Sequence, residues 1–575
     1  MQNSTRRLQV RCSTRAAFAA ALLATVACRS SDSDPATPSP TARAAAGAEA
    51  RIDAEELLRR VAVLASDRFE GRAPGSVGEK LTLEHLEQEF RAAGAEPGNP
   101  DGTFTQRVPL VGFKATPQAR WVTSKGERAL KFPDDYVAVS RAQKALVEVD
   151  APLVFVGYGV EAPEYGWDDY KGVSVAGKVL VMLVNDPAVP DPNDPSKLDE
   201  KMFGGRAMTY YGRWTYKYEI AAEKGAVAAI LVHETGPAGY PYEVVSGSWG
   251  RENFDIAREG DGAKGLQVEA WIRDSIAREL FAGAGLDFEQ AKRAALSRDF
   301  KPLELGGARA KLRVENALRT VESRNVIAKI TGASRPDEYV VYTAHWDHLG
   351  RDETKPGDGI YNGAVDNATG TSGLVEMAQA FASATPRPER TVLFLAVTAE
   401  EKGLLGSKWY AQNPLYSLEK TLGVINMDGL NTWGRTRDVI SVGMGNSTLH
   451  GTLAAHAREM GRVVLPDDEP EKGFFYRSDH FEFAKLGVPG LHAGSGMDYL
   501  DRPAGWGQRV RDEYTANDYH KPSDEIRAEW DLSGAIEDLR LFFRVGYELA
   551  NTSEWPTWSP DAEFRAVRER RLANP

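Results

Sequence analysis

Residues 339–348 read YVVYTAHWDH, an apolar and aromatic run that stops on two histidines and an aspartate. The pattern recurs downstream. TVLFLAV (391–397) runs into Thr398-Ala399-Glu400-Glu401, and LGVIN (422–426) runs into Met427-Asp428-Gly429. NVIAKI (325–330) and VISVG (439–443) are further short, continuous apolar runs. Such runs are the mark of strands buried on both faces. A helical pattern, TSGLVEMAQAFASA (371–384), falls between them. The alternation predicts an α/β fold with a mostly parallel, doubly covered sheet. In such sheets ligands bind beyond the carboxyl ends of the strands, which is where these charged groups sit.

Upstream, Asp53 precedes the helical pattern AEELLRRVAVLAS, and a second helix is expected from about Ser76 to Ala93, stopped by Gly94. Residues 115–312 differ. Short β-rich runs, LVFVGYGV (153–160) and KVLVMLV (178–184), alternate with turns, and a helix of about Tyr218 to Lys224 leads into AVAAILVH (226–233). His233 is the only histidine of this stretch. A lone histidine at a strand end is expected to be structural. The division expected is 53–114 and 313–552 for one domain, 115–312 for an insertion and 553–575 for a tail, with a frayed end at ERRLANP (569–575).

At the N-terminus, Arg6, Arg7, Arg11 and Arg15 precede the apolar run AAFAAALLATVA (16–27). This is the pattern of a secretory signal over residues 1–27, too short for a permanent span. Thr25-Val26-Ala27-Cys28 resembles a bacterial lipoprotein cleavage box, although Thr25 departs from the usual Leu. An exported protein is expected, secreted or held in the periplasm or cell envelope by a lipid anchor at Cys28. Residues 28–52 are Ser-, Pro- and Ala-rich and read as a flexible tether.

The chain has 575 residues, 42% hydrophobic and 26% charged, with a formal net charge of −12. That composition excludes whole-chain disorder, and its acidity argues against a nucleic-acid partner. Cys12 and Cys28 are the only cysteines, so the body holds neither a disulfide framework nor a thiolate zinc site. Oligomeric state is not legible.

Two further polar segments are candidates to join the strand ends: Asn362-Gly363-Ala364-Val365-Asp366-Asn367 and Asp518-Tyr519-His520-Lys521. Singly each has a plain reading. Asp366 would cap the following helix, Glu400-Glu401 would be a solvated loop, His345 a core histidine and His520 surface. Jointly, two histidines and three carboxylates, one of them shared, would supply three ligands to each of two metals. Such a site keeps open positions for water and substrate. These ligand types suit zinc and also permit Co²⁺ or Mn²⁺.

HWDH (345–348), NGAVDNATG (362–370), EEKGLLGS (400–407), NMDG (426–429) and YHKPSDE (519–525) form an ordered set. It resembles the co-catalytic dizinc aminopeptidase family, which includes secreted bacterial leucine-type aminopeptidases and aminopeptidase Y. GRAPGS (71–76) is similar to that family's N-terminal signature. The resemblance implies a zinc exopeptidase fold, two Zn²⁺ per chain and peptide substrates with a free N-terminus. It implies that His345 and Asp428 bind one zinc, Glu401 and His520 the other, and Asp366 both. Asp347 would accept a hydrogen bond that orients His345, Glu400 would be the general base, and Tyr519 would donate to the developing oxyanion. A cis Asp366-Asn367 bond is also implied. GKVLVMLV (177–184) and AAEKGAVAAILVH (221–233) resemble a protease-associated domain. Rival readings are a glutaminyl cyclase with one zinc, a glutamate-releasing carboxypeptidase, and a cell-surface receptor without activity. Phe474, Phe475, Tyr476 and Trp506 are candidate pocket walls or packing residues. Trp409 and Tyr410 are expected in the core.

Overall fold

The computed structural model describes residues 47–258 and 265–573. The expected signal segment, Cys28 and residues 28–46 of the expected tether lie outside the described residues. The rest of that tether is packed, a correction: Ala48 and Ile52 are buried, and Glu49 pairs with Arg544 at 2.7 Å.

Helix α1 (Ala54–Leu64) starts where Asp53 accepts from the amides of Glu55 and Glu56. Helix α2 (Val77–Ala92) starts where Ser76 accepts from Glu79. The chain continues through β1 (Thr105–Thr123), β2 (Tyr136–Val139), β3 (Leu146–Phe155), β4 (Val179–Leu183), α3 (Trp214–Glu223), β5 (Ala228–His233), β6 (Asn253–Ile256) and β7 (Val268–Arg273). Then come β8 (Leu303–Ile330), β9 (Arg335–His345), α4 (Gly370–Ser383), β10 (Arg390–Val397), α5 (Leu405–Gln412) and β11 (Thr421–Asn426). The last elements are β12 (Asp438–Val442), β13 (Val463–Pro466), β14 (Gly490–Ser495), α6 (Trp506–Asn517), α7 (Ser533–Asn551) and α8 (Arg565–Ala573).

One sheet runs in the order β13-β12-β14-β11-β9-β10-β8-β3-β4-β5-β7-β2, with β1 paired to β8. The run β14-β11-β9-β10 is parallel, and so is β3-β4-β5-β7. This is the expected α/β architecture.

The continuous apolar runs need cover on both faces, and they have it. In β9, Val340, Tyr342 and Ala344 pack with Leu374 and Phe381 of α4 and Phe542 and Phe543 of α7. Tyr339 and Val341, pointing the other way, pack with Leu393, Tyr410 and Phe483. Each such large apolar side chain contributes about 1.5–3 kcal/mol when fully buried. Tyr410 is thus core, as expected, while Trp409 is only partly buried.

A second core is assembled wholly from residues between Phe113 and Val314. It is not joined to the first by linkers. Strand β1 pairs with β8 without a break from Thr105↔Val326 to Val122↔Arg309. Strand β8 then pairs with β10 at one end and β3 at the other. The seams expected at 114/115 and 312/313 fall inside these two strands, where the chain is continuous sheet. The C-terminal segment is a further correction. It forms α8, whose buried Arg568 donates to the carbonyls of Leu418 and Thr421, both at 2.9 Å.

Candidate metal centre

Parallel strands deliver their ends to one place. Strand β9 ends on His345, β10 leads into the turn carrying Glu400 and Glu401, and β11 leads to Asp428. Asp366 comes from the loop before α4, and His520 from the segment after α6. His345 Nε2 lies 3.2 Å from Asp366 Oδ1 and 3.2 Å from Asp428 Oδ1. His520 Nε2 lies 3.3 Å from Asp366 Oδ2 and 3.1 Å from Glu401 Oε2. The two oxygens of one carboxylate therefore face two separate donor groups. Asp366 does not cap α4, and Glu401 is no solvated loop residue, its side chain being 3% exposed. The Asp366-Asn367 bond is cis.

His348, absent from the expected ligand set, is also here. Its ligand atom and those of Asp366 and Glu401 lie within 4.8 Å of one another. The same holds for His345, Asp366 and Asp428, and for His345, Glu400 and Glu401. His348 Nδ1 is 2.6 Å from Glu401 Oε1, off the direction of a hydrogen bond. Among the described residues, both ring nitrogens of His348, Glu401 Oε1 and Asp347 Oδ2 are buried without a hydrogen-bond partner. Such orphans are rare and costly in folded proteins. Nitrogen and carboxylate oxygen donors, converging around unpaired buried atoms, fit zinc-like divalent cations.

The electrostatics agree. Burial opposes a charged His345, but Asp428, Glu400 and Asp366 outweigh it and hold its pKa well above the ordinary histidine range. Burial would raise Asp366, yet hydrogen bonds with His345 and His520 hold it well below the usual carboxylate range. Glu401 is likewise held low against burial, by His520 and His348. Glu400 goes the other way: burial, with Asp428, Asp479 and Glu401 nearby, pushes it well above the usual range despite His345. Adjacent carboxylates are thus pushed to opposite sides of their ordinary range.

The supporting partners come from segments far apart in the chain. Asp347 does not orient His345 through its carboxylate. His345 Nδ1 lies 3.1 Å from the Asp347 carbonyl oxygen and 3.9 Å from Oδ1, and Oδ1 instead accepts from the Glu400 amide at 3.0 Å. The expected role of Asp347 is corrected accordingly: its backbone faces His345 and its side chain fixes the Glu400 turn. Buried Arg72 donates to the carbonyls of Trp346, Leu64, Asn362 and Gly363 at 2.6–2.9 Å, tying the GRAPGS segment to two site loops. Asp524 accepts from the amides of Val365 and Asp366 at 3.0 and 3.1 Å. Ser478 donates to Asp428 Oδ2 at 2.6 Å and accepts from Asn426. Gly363 is required: its φ is 55°, and a Cβ would sit 2.5 Å from His348 Cγ. Ala399 and His520 hold positive φ of 53° and 59°, each costing about 1–3 kcal/mol, a strain that collects at functional sites.

Tyr519 stacks on His520 with ring centroids 3.9 Å apart and is 37% exposed. Phe475 and Tyr476 are buried in a cluster with Phe481 and Phe564, so they are packing residues and not pocket walls. Trp506 packs edge-on against Tyr499 at 4.8 Å. His233 lies in the second core, away from this cluster. Sequence reading missed His348, Arg72 and Asp524 as working residues, though they lie in HWDH, GRAPGS and YHKPSDE.

A sheet whose strand ends gather histidines and carboxylates about one shared carboxylate offers the donor set of a divalent-cation site. Residues 325–543 match the profile of Peptidase family M28. Among relatives, Aminopeptidase NAALADL1 of Mus musculus is 35% identical over 127 residues, covering 21% of this chain and 16% of the mouse protein. A probable zinc metalloprotease of Pyricularia oryzae is 28% identical over 287 residues, 44% of this chain and 54% of the fungal one. A glutamate carboxypeptidase 2 homolog of Caenorhabditis briggsae is 35% identical over 129 residues, 22% of this chain and 15% of that one. The chain thus spans from about a sixth to about half of these relatives. The solved aminopeptidase from Aneurinibacillus sp. strain AM-1 shares the fold, with a TM-score of 0.50 at 19% identity over 89% of this chain and 97% of that one.

Proposed function

We propose that the chain is an exported dizinc aminopeptidase that hydrolyses the N-terminal peptide bond of peptides. The observation that carries this is Asp366, whose Oδ1 faces His345 with Asp428 and whose Oδ2 faces His520 with Glu401. In this reading His345 and Asp428 hold one zinc, Glu401 and His520 the other, and Asp366 both. His348 lies against the Glu401 oxygen that faces away from His520. The ions, when bound, supply Lewis acidity toward a scissile carbonyl and an attacking water.

Glu400 takes the proton of the attacking water and delivers it to the leaving amine. Its raised pKa suits a group that must both accept and release a proton. The Tyr519 hydroxyl donates to the oxyanion. The amine terminus of the substrate lies toward the carboxylates, which restricts cleavage to chain ends. Export, with or without a lipid at Cys28, rests on residues 1–28, and the second core takes the part of a protease-associated domain. Pairing of Asp428 with His345 favours two metals over the single zinc of a cyclase.

Zinc content and cleavage of an aminoacyl 4-nitroanilide are the test. The wild-type chain is expected to hold two zincs. Glu400→Ala is expected to keep them and lose about 10²–10⁴-fold in kcat. Full activity with one zinc, or an active Glu400→Ala chain, would overturn this reading.

A further inference from the structure

Helix α6 is thinly packed. Of its 12 residues only Gly507 is buried, and a helix of that length is marginal in water without a packed face. Its Val510 and Tyr514 line a cavity of about 160 Å³, together with Trp433, Trp530 and Val365. The rings of Trp433 and Tyr514 meet edge-on with centroids 5.7 Å apart, so the aromatic walls stand at an angle. At about 30 Å³ for each heavy atom, the share of a water molecule in the liquid, the space takes a chain of about five.

Its charge is one-sided. Glu513, Asp518, Asp524 and Glu525 line the cavity against a single base, Arg527. Arg527 is tied to Asp518 at 2.6 Å. Asp524 accepts from the Tyr514 hydroxyl at 3.3 Å and from the amides of Val365 and Asp366. The other two carboxylates are poorly matched. Glu513 faces Arg509 at 3.8 Å, with both side chains mostly exposed, and such a pair contributes little. Among the described residues Glu525 has no ion-pair partner, and burial, with Asp358 and Asp67 near it, pushes its pKa up. Ring faces and unmatched carboxylates both attract ammonium and guanidinium groups, and an apolar stem fills the space between the rings.

The cavity adjoins the metal centre. Val365 directly precedes Asp366, and Asp524 holds the amides of both. The Tyr514 ring lies 6.2 Å from that of Tyr519, which is stacked on His520.

We infer that this cavity binds a short alkyl chain ended by an ammonium or guanidinium group, with its stem among Trp433, Tyr514 and Trp530 and its charge toward Glu513 and Glu525. Two sources carry that chemistry: the side chain of a lysyl or arginyl substrate, and a free alkylamine. The first rests on the exopeptidase reading and names its substrate class. The second is independent of it.

The test uses the zinc-loaded full chain. Lysyl and norleucyl 4-nitroanilides differ by one ammonium group, and the lysyl compound is expected to be favoured about 10–100-fold in kcat/KM. In the double variant Glu513→Gln, Glu525→Gln that ratio is expected to approach one. Because the ratio is taken within one protein, a loss of folded chain cancels. In parallel, butylamine and its uncharged counterpart 1-butanol are titrated by calorimetry. Butylamine is expected to bind about 10–100-fold more tightly to the wild type, to lose that margin in the double variant, and to slow hydrogen exchange in α6 as the gap fills. A lysyl preference that collapses in the double variant assigns the cavity to the substrate side chain. Butylamine binding that the double variant loses, with no lysyl preference, assigns it to free amines and overturns the side-chain source. Absence of both effects, or both unchanged in the double variant, overturns the cavity as a cation site. Failure of the wild-type chain to cleave any aminoacyl 4-nitroanilide would strike the exopeptidase reading, while butylamine binding still judges the cavity.

Discussion

His233 and His345 occupy equivalent places in the two halves of the molecule. Each is the last residue of a parallel strand, β5 or β9, and they are 3% and 1% exposed. Their surroundings differ completely. His233 Nε2 lies 3.0 Å from the Tyr240 carbonyl oxygen, and its ring packs among Tyr240, Tyr242 and Trp271. Burial lowers its pKa and keeps it neutral. His345 faces three acidic side chains, Asp428, Glu400 and Asp366, which hold its pKa well above the usual range. Position at a strand end offers a site; the carboxylates delivered by neighbouring strands make it one.

Exchanging each histidine for alanine should produce the largest divergence. His345→Ala is expected to weaken zinc binding by more than the 10–100-fold, roughly, that loss of a mere supporting partner costs. His233→Ala should leave zinc content unchanged and lower stability by about 1–3 kcal/mol. Equal zinc loss in both, measured by metal analysis after dialysis, would erase the contrast.

Arg72 offers a way to break the His345 side of it. Arg72→Lys keeps the charge but not the fork that reaches four carbonyls. The expected cost is about 2–4 kcal/mol in denaturant unfolding, with weaker zinc binding as the Trp346 and Gly363 loops loosen. An unchanged midpoint would mean the loops hold themselves.

His450 sharpens the contrast by the smallest effect. It is 4% exposed, lies 2.8 Å from Ser441 Oγ through Nδ1, and burial lowers its pKa to about 4. A histidine depressed on folding binds its proton more readily in the unfolded chain. Its contribution to stability is therefore complete above about pH 6.5 and lost as pH falls through about 4. His450→Gln should remove at most about 3 kcal/mol of acid destabilisation across that window. Parallel pH profiles of the two proteins would refute this.

Much of this was legible in the sequence. Apolar runs such as YVVYTA and TVLFLAV need burial on both faces, and the residues just after each run must then lie at a sheet edge. Other features depend on contacts between distant parts of the chain. Nothing around Arg72 announces that its acceptors lie as far off as Trp346 and Gly363. His348 sits inside HWDH, but side-chain direction after a strand end is set by Gly363 packing under its ring. Strand β8 escaped notice as one strand because it changes character along its length. Its first part alternates buried and exposed residues, whereas Val326–Ala328 are buried throughout. The polar segment after residue 565 reads as surface until Arg568 is seen capping two carbonyls.

The unbroken pairing of β1 with β8 has a mechanical consequence. Two bodies joined by flexible tethers can swing apart; two bodies that share a pair of long ribbons move as one beam. The spacing of the two cores is then set by the paired backbone of β1 and β8 and not by the length of a linker.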